Sequence, residues 1–268
     1  MNLPETKNLL LALDQGVLHL TFNRPDSRNA LSVALLADIV AVFDAIRDRR
    51  DVRAVVLRGA GGNFCAGGDI KDMAGIRTAP VKEGEDPAAA YNRKFGAFLR
   101  KVNEAPQATL AICEGAVLGG GFGLACVADV AFAHVEASFG LPETGLGIVP
   151  AQIAPFVVQR IGLSQARRLG VCGGRFKGEE ARRLGIVHET FADEAQLAAL
   201  LDGTLKQILR CAPNANAATK DIMLKVASTE LDPLLDYAAK RFAEAVRSAE
   251  GAEGTAAFIE KRLPKWAQ

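Results

Sequence analysis

Leu118-Gly119-Gly120-Gly121-Phe122-Gly123-Leu124-Ala125-Cys126, continued by Val127-Ala128-Asp129-Val130-Ala131-Phe132-Ala133 and then Ser138-Phe139-Gly140-Leu141-Pro142-Glu143, sets a glycine cluster ahead of an apolar run and a single carboxylate. Strand-like residues Ala108 to Ile112 lead into the glycines, and the small apolar residues after Gly120 suit a buried helix. The pattern predicts an unblocked helix N-terminus at Gly120 to Gly121. Such an end presents free backbone N–H groups and the positive end of the helix dipole, a setting for an oxyanion or a phosphate. The same residues would also serve as a glycine-rich turn that lets a helix pack close against a sheet. The cluster alone leaves both readings open.

Nucleotide-loop chemistry fails on spacing. A dinucleotide fingerprint needs Gly-x-Gly-x-x-Gly, whereas Leu124 stands three residues after Gly121 and Cys126 three after Gly123; no Gly-Lys-Ser/Thr occurs in the chain. A second stretch, Gly62-Asn63-Phe64-Cys65-Ala66-Gly67-Gly68-Asp69-Ile70-Lys71-Asp72-Met73, follows another strand pattern, Ala54-Val55-Val56-Leu57-Arg58. Two strand ends, each followed by glycines and a helix start, can aim one N–H apiece at a common point. That is how an oxyanion hole is built.

Asn23-Arg24-Pro25-Asp26-Ser27-Arg28-Asn29-Ala30-Leu31, Phe64-Cys65-Ala66-Gly67-Gly68-Asp69-Ile70, Gly119-Gly120-Gly121 and Phe139-Gly140-Leu141-Pro142-Glu143 stand in the order and spacing of the crotonase superfamily, the enoyl-CoA hydratase/isomerase fold, which the chain resembles from about Leu10 to its last helix. The resemblance implies an acyl-CoA thioester whose carbonyl oxygen is held by the N–H groups of Gly68 and Gly120. It implies no separate cofactor and no metal, coenzyme A being part of the substrate. By position, Ala66, Asp69 and Ile70 match the adenine-binding stretch, and Arg28 and Ala30 lie in the motif lining pantetheine and phosphates. Lys71 and Lys261, the latter in Phe258-Ile259-Glu260-Lys261-Arg262, resemble residues that meet CoA phosphates, Lys261 from a neighbouring subunit.

With 268 residues and 49% hydrophobic content, the chain can bury a large core. Its 32 basic and 31 acidic residues leave a net charge of +1, which offers no electrostatic case for nucleic acid or a membrane surface. Any anion site must be local. The N-terminal residues lack the pattern of a secretory signal, and nowhere do 18 apolar residues run together. Cys65, Cys113, Cys126, Cys172 and Cys211 are scattered and odd in number, which reads as buried, reduced thiols in a cytoplasmic protein. His19, His134 and His188 form no cluster and read as structural.

The expected fold class is α/β, a repeated ββα core followed by helices alone. Leu9 to Leu13 and Val17 to Phe22 read as a hairpin around Asp14-Gln15-Gly16. Ser32 caps a helix carrying Leu35, Leu36, Ile39, Val42, Phe43 and Ile46 at helical spacing. The polar segment 75–87 reads as a surface loop or as a lid over the acyl group. A helix is expected over Ala88 to Glu104 and another from Ser164. The core domain is placed at 1–192 and a helical domain at 193–268, with breaks near Pro213, Pro233 and Gly251 to Gly254. The resemblance assigns that helical layer to a homotrimer or a dimer of trimers.

Adding water to an α,β-unsaturated thioester puts negative charge on the carbonyl oxygen and needs one proton delivered to Cα and one removed from the water. Many hydratases of the superfamily use two glutamates. Here the second matches Glu143, while Gly123 stands where the first is usual. Without the resemblance Glu143 reads as a helix-start or surface charge; with it, as proton donor to Cα and also base. A missing side chain at Gly123 predicts room beside Cβ for a branch, lined further by Pro150 and Ala151. Together with Pro150-Ala151-Gln152-Ile153-Ala154-Pro155, where many hydratases carry glycines, the pattern is similar to bacterial hydratases of 3-substituted glutaconyl-CoA esters. Those acting on isohexenylglutaconyl-CoA in acyclic terpene (citronellol, geraniol) catabolism come first, and those acting on 3-methylglutaconyl-CoA in leucine breakdown next. The rival readings are an enoyl-CoA isomerase, a decarboxylase, a thioester hydrolase, and a catalytically silent acyl-CoA-binding or RNA-binding relative.

Overall fold

The structure, a computed structural model, describes residues 3–77, 79–81, 84 and 86–268. Four residues of the 75–87 segment, Thr78, Lys82, Glu83 and Glu85, lie outside it, so the choice between loop and lid falls outside the described residues.

Strand β1 (Leu9–Asp14) pairs antiparallel with β2 (Val17–Phe22) through a two-residue turn, with Gln15 and Gly16 both at positive φ (44° and 80°). That turn matches the right-handed twist of the strands it joins. The remaining partners, β3 (Ala54–Gly59), β4 (Ala108–Cys113), β6 (Val130–His134) and β9 (Glu189–Phe191), add in parallel, giving the order β1-β2-β3-β4-β6-β9. A smaller sheet is made of β5 (Ala116–Leu118), β7 (Ser138–Gly140) and β8 (Arg175–Phe176), and Cys65 joins it by an isolated bridge to Val117. Each turn of the chain thus lays one segment in each sheet and then a helix: α2 (Ile70–Arg77) and α3 (Pro87–Asn103), then α4 (Gly120–Val127), then α5 (Ala154–Cys172). This is the repeated ββα spiral of the crotonase fold.

The sheet is buried on both faces, as parallel sheets are. Val55 and Leu57 of β3 and Ala111 and Cys113 of β4 face a cluster shared with Leu35, Ile39, Val42 and Phe43 of α1 (Val33–Ile46), whereas Ala54, Val56, Leu110 and Ile112 face Leu197 of α7 (Glu194–Arg210). The period-two alternation sends neighbouring residues to opposite cores. Helix α7 therefore seals the sheet even though it follows position 192. Helix α1 starts as expected, with Ser32 Oγ accepting from Leu35 N at 3.2 Å.

The helices that follow are α8 (Pro213–Lys225), α9 (Leu231–Arg247) and α10 (Ala249–Ile259). The expected breaks stand at or just before the residues that mark them: α7 ends at Arg210 ahead of Pro213, α8 ends at Lys225 and α9 begins two residues before Pro233, and α9 gives way to α10 at Ser248, three residues before Gly251. Pro213 sits at the start of α8, where its missing N–H costs nothing, and Pro233 is absorbed in the first turn of α9. Gly251 to Gly254 lie inside α10, whose cap is Ser248. The helix expected from Ser164 is the second segment of α5, which starts after the non-helical Gly162 (φ 75°, ψ 159°), and a first helical segment from Ala154 precedes it. Among the described residues no helix is long and apolar enough to cross a membrane.

Candidate active site

Three chain corners stack at one place in the spiral. Leu118 N donates to Cys65 O and Gly119 N donates to Gly140 O, both at 3.0 Å, so the corners after Cys65, Leu118 and Gly140 are layered in register. Backbone contact at this spacing requires glycine. Gly67 has φ +102°, and a Cβ there would lie 3.2 Å from Leu118 O; Gly119 has φ +49° and ψ −113°, open to glycine alone. The residues next in line, Gly68 and Gly120, carry backbone N–H groups that donate to nothing among the described residues. Gly120 is the first residue of α4, whose N-cap Gly119 supplies no capping side chain, so the amides of that turn remain free.

Glu143 opens the third corner as the first residue of a 3-10 turn, Glu143–Leu146. Its Oε1 is 2.7 Å from where a Cβ on Gly119 would be, so the carboxylate rests on the backbone immediately before the Gly120 amide. Its Oε2 is buried and has no hydrogen-bond partner among the described residues. Burial raises the Glu143 pKa above the ordinary glutamate value. A carboxylate with one oxygen withdrawn from water, resting on the residue before the Gly120 amide, is suited to taking and returning a proton beside a developing oxyanion.

Gly123 lies one turn into α4, and its surroundings correct the expectation of open space. A Cβ there would be 3.1 Å from Ile153 Cγ2 and 3.3 Å from Leu99 Cδ1. The volume that a glutamate would claim is held by Ile153, at the end of the turn that begins at Pro150 and Ala151, with Ile153 N donating to Pro150 O at 3.2 Å. Phe95 closes the next turn of the same wall, its Cζ 2.8 Å from where a Gly120 Cβ would be. Sequence reading missed Phe95 and Leu99 as site residues, because on α3 they look like any apolar helix face. The available signal was Gly96 between them, since a glycine inside a helix marks a close approach.

The positions carried over for CoA form one cluster, with one exception. Leu31 pairs with Gly68, Ala66 N donates to Arg28 O at 3.0 Å, and Lys71 N donates to Asp69 Oδ1 at 3.0 Å, which ties Arg28, Ala30, Ala66, Asp69, Ile70 and Lys71 together. Arg28, Ile70 and Lys71 are exposed. The Asp69 side chain is not: it is 7% exposed and ion-paired to Arg24 Nη2 at 2.9 Å, while Arg24 Nη1 donates to Ala30 O. The Arg24 guanidinium holds the Asp69 carboxyl below its usual pKa against an opposing desolvation effect that is the largest single contribution. Asp69 and Arg24 therefore clamp the two loops, and the Asp69 carboxylate is engaged within the protein.

Lys261 is the exception. It follows α10 beside Arg262, which pairs with Glu253, and Trp266 donates to Arg210 O at 3.1 Å while Arg53 Nη1 donates to Trp266 O at 3.2 Å. Arg53 precedes β3, so within one chain the C-terminal segment packs at the end of the sheet opposite the glycine corners.

The remaining candidates resolve simply. Cys65, Cys113 and Cys126 are buried, and burial pushes the Cys65 thiol up to about 12, which suits packing and not nucleophilic attack. Cys172 and Cys211 are exposed, contrary to expectation, because both stand at helix C-termini. His188 Nδ1 accepts from Ala131 N at 3.0 Å and serves the sheet.

The fold and corner geometry define a spiral α/β enzyme with a paired-amide site at the stacked chain corners. Residues 12–268 match the family model described as "Enoyl-CoA hydratase/isomerase", and the chain belongs to that family. It is 60% identical in sequence to Pseudomonas aeruginosa AtuE, with a TM-score of 0.93 over 98% of this chain and 100% of that one. An enoyl-CoA hydratase/isomerase from Marinobacter aquaeolei superposes with a TM-score of 0.94 at 52% identity, covering 97% and 99%. A protein of Bacillus subtilis (strain 168) named "Probable enoyl-CoA hydratase" is 30% identical over 257 residues, 96% of this chain and 97% of its own. The chain is accordingly a hydratase-type enzyme acting on acyl-CoA.

Proposed function

We propose that this enzyme adds water across the α,β double bond of a 3-substituted glutaconyl-CoA, with isohexenylglutaconyl-CoA as the favoured ester and 3-methylglutaconyl-CoA as the narrower alternative. The observation that carries the one-glutamate mechanism is the Glu143 carboxylate, seated on Gly119 with one oxygen buried and unpaired, while the first turn of α4 holds no second acid.

The ionised Glu143 takes a proton from water as the water oxygen bonds to Cβ. The π electrons move to the thioester oxygen, where the Gly68 and Gly120 amides hold the resulting enolate. The enolate then collapses as Glu143 returns the proton to Cα, which regenerates the carboxylate. A 3-substituent favours this sequence because a tertiary Cβ better carries the positive charge that develops as water approaches. Support for a long hydrocarbon branch comes from the rim beside Glu143, where Leu146 (69%), Ile148 (40%) and Val149 (69%) are exposed. Isomerisation is the second reading, since proton transfer alone needs only one carboxylate.

We propose a homotrimer or dimer of trimers as well, supported by Leu231, Leu235, Phe242 and Val246, which share one face of α9 and are all exposed in the single chain.

The test is turnover of crotonyl-CoA, 3-methylglutaconyl-CoA and isohexenylglutaconyl-CoA with product analysis. Hydration of the branched diacid esters, with little on crotonyl-CoA, is expected. Activity confined to crotonyl-CoA, or a shifted double bond without added water, overturns the assignment.

A further inference from the structure

Two glycines on facing helices are shaped around one turn of chain, Pro150 to Ile153. Gly123 of α4 receives Ile153, as described above. Gly96 of α3 receives Gln152: a Cβ on Gly96 would collide with Gln152 Oε1 and would lie 2.8 Å from Cδ and 3.3 Å from Cβ of that side chain. Gly96 itself is buried, and its neighbours Phe95 and Leu99 point at Gly120 and Gly123. The Gln152 amide is therefore laid into the wall that separates α3 from the N-terminus of α4. Among the described residues this side chain makes no hydrogen bond, although it is only partly exposed.

The Gln152 amide reaches solvent at this seat, so water meets its polar atoms until a bound group takes their place. With Oε1 against Gly96, the two N–H donors are the groups left over, and donors call for an acceptor. Among the described residues, the side chains that meet Gly96, Gly120 and Gly123 are those of Gln152, Phe95, Leu31, Ile153 and Leu99, none of them charged, so this wall offers an acceptor hydrogen bonding without a counter-charge.

We propose that Gln152 is a specificity-determining residue that donates to the distal carboxylate of the acyl group. This inference rests on the glutaconyl reading above and deepens it. In a 3-substituted glutaconyl thioester the second carboxylate hangs one methylene from Cβ, on the same carbon whose other substituent is the branch. The paired glycines divide the labour: at Gly123 the wall is closed by an alkyl group, and at Gly96 it is lined by an amide. An ester with one apolar and one anionic substituent on Cβ meets a wall with one apolar and one donor element.

The test compares 3-methylglutaconyl-CoA with 3-methylcrotonyl-CoA, which differ by that carboxylate alone. Wild-type enzyme is expected to prefer the diacid ester. In Gln152→Leu the KM for that ester rises about tenfold, the worth of a hydrogen bond to a charged group, while kcat and turnover of 3-methylcrotonyl-CoA stay within about twofold. Gln152→Glu moves in the same direction and further, because like charges repel. Gly96→Ala, which expels the side chain from its seat, reproduces Gln152→Leu, and thermal unfolding of all three variants verifies the fold.

If wild-type enzyme does not discriminate between the two esters, the glutaconyl reading itself falls. If wild type discriminates and Gln152→Leu discriminates equally, only the role of Gln152 falls. An equal loss of kcat on both esters assigns Gln152 to the reacting water and overturns the proposal.

Discussion

Gly68 and Gly120 occupy equivalent corners of successive turns and offer the same group, a backbone N–H without a partner, yet they are held by different means. Gly120 opens a helix whose eight residues are all buried; Gly120 lies against Phe95 and Leu31, and Gly121 against the Cys65 backbone. Gly68 is exposed, precedes a helix whose first residue, Ile70, is 78% exposed, and among the described residues has only the flexible Met73 side chain within reach of an added Cβ, at 3.4 Å. One amide is fixed by the core and the other by a loop that the Arg24–Asp69 pair clamps from outside. The difference teaches that the proposed oxyanion site has one wall fixed by the core and one adaptable wall.

The largest expected effect tests the group both walls serve. Glu143→Gln keeps the shape of the side chain and removes its proton chemistry, and we expect kcat/KM to fall about 1,000-fold with the fold intact. Hydration at a tenth of the wild-type rate or better would mean that another group moves the proton.

The next pair sets the corners against each other. Gly120→Ala brings a methyl within 3.0 Å of both Phe95 Cζ and Leu31 Cδ1, and we expect a loss of about 100-fold in kcat/KM together with a clear drop in Tm. Gly68→Ala meets only Met73 Sδ at ordinary contact distance, and we expect less than a tenfold loss of activity and a Tm within about 2 °C of wild type. Equal damage from the two substitutions would erase the distinction between a rigid and an adaptable wall.

The smallest effect is a pH dependence of stability. Burial raises the Glu143 pKa above its ordinary 4.5, so the native state holds this proton more tightly than the unfolded chain. The associated stability is fully present below the unfolded value and is lost as pH rises through the folded value. Glu143→Gln does not suffer that loss. Its Tm relative to wild type should therefore climb as pH is raised from below 4.5, and the acid limb of wild-type activity should have its midpoint above that value. A Tm difference that is flat with pH would show that Glu143 is solvated in the native state.

Much of the site was legible because its chemistry is carried by backbone. Gly67 and Gly119 must be glycine for steric reasons, and strand patterns ending in glycine clusters expose such positions in the sequence itself. The hairpin turn at Gln15-Gly16 and the Ser32 cap were legible for the same reason, each being a local conformational demand met by a local residue. Gln152 carried no such mark, because its seat is made by Gly96, fifty-six positions earlier on another element.

The sequence alone determined the alternation of strands and helices, the two glycine corners and the single acid at Glu143. Period-two apolar runs and φ > 0 positions are properties of adjacent residues, and they survive without a tertiary context. Only the folded chain decided that Ile153 fills the space beside Gly123, that Asp69 is spent on Arg24, and that Lys261 lies at the far end of the sheet within its own chain. Each of those outcomes is set by which distant segment arrives to occupy a volume or neutralise a charge, and sequence separation carries no record of that arrival.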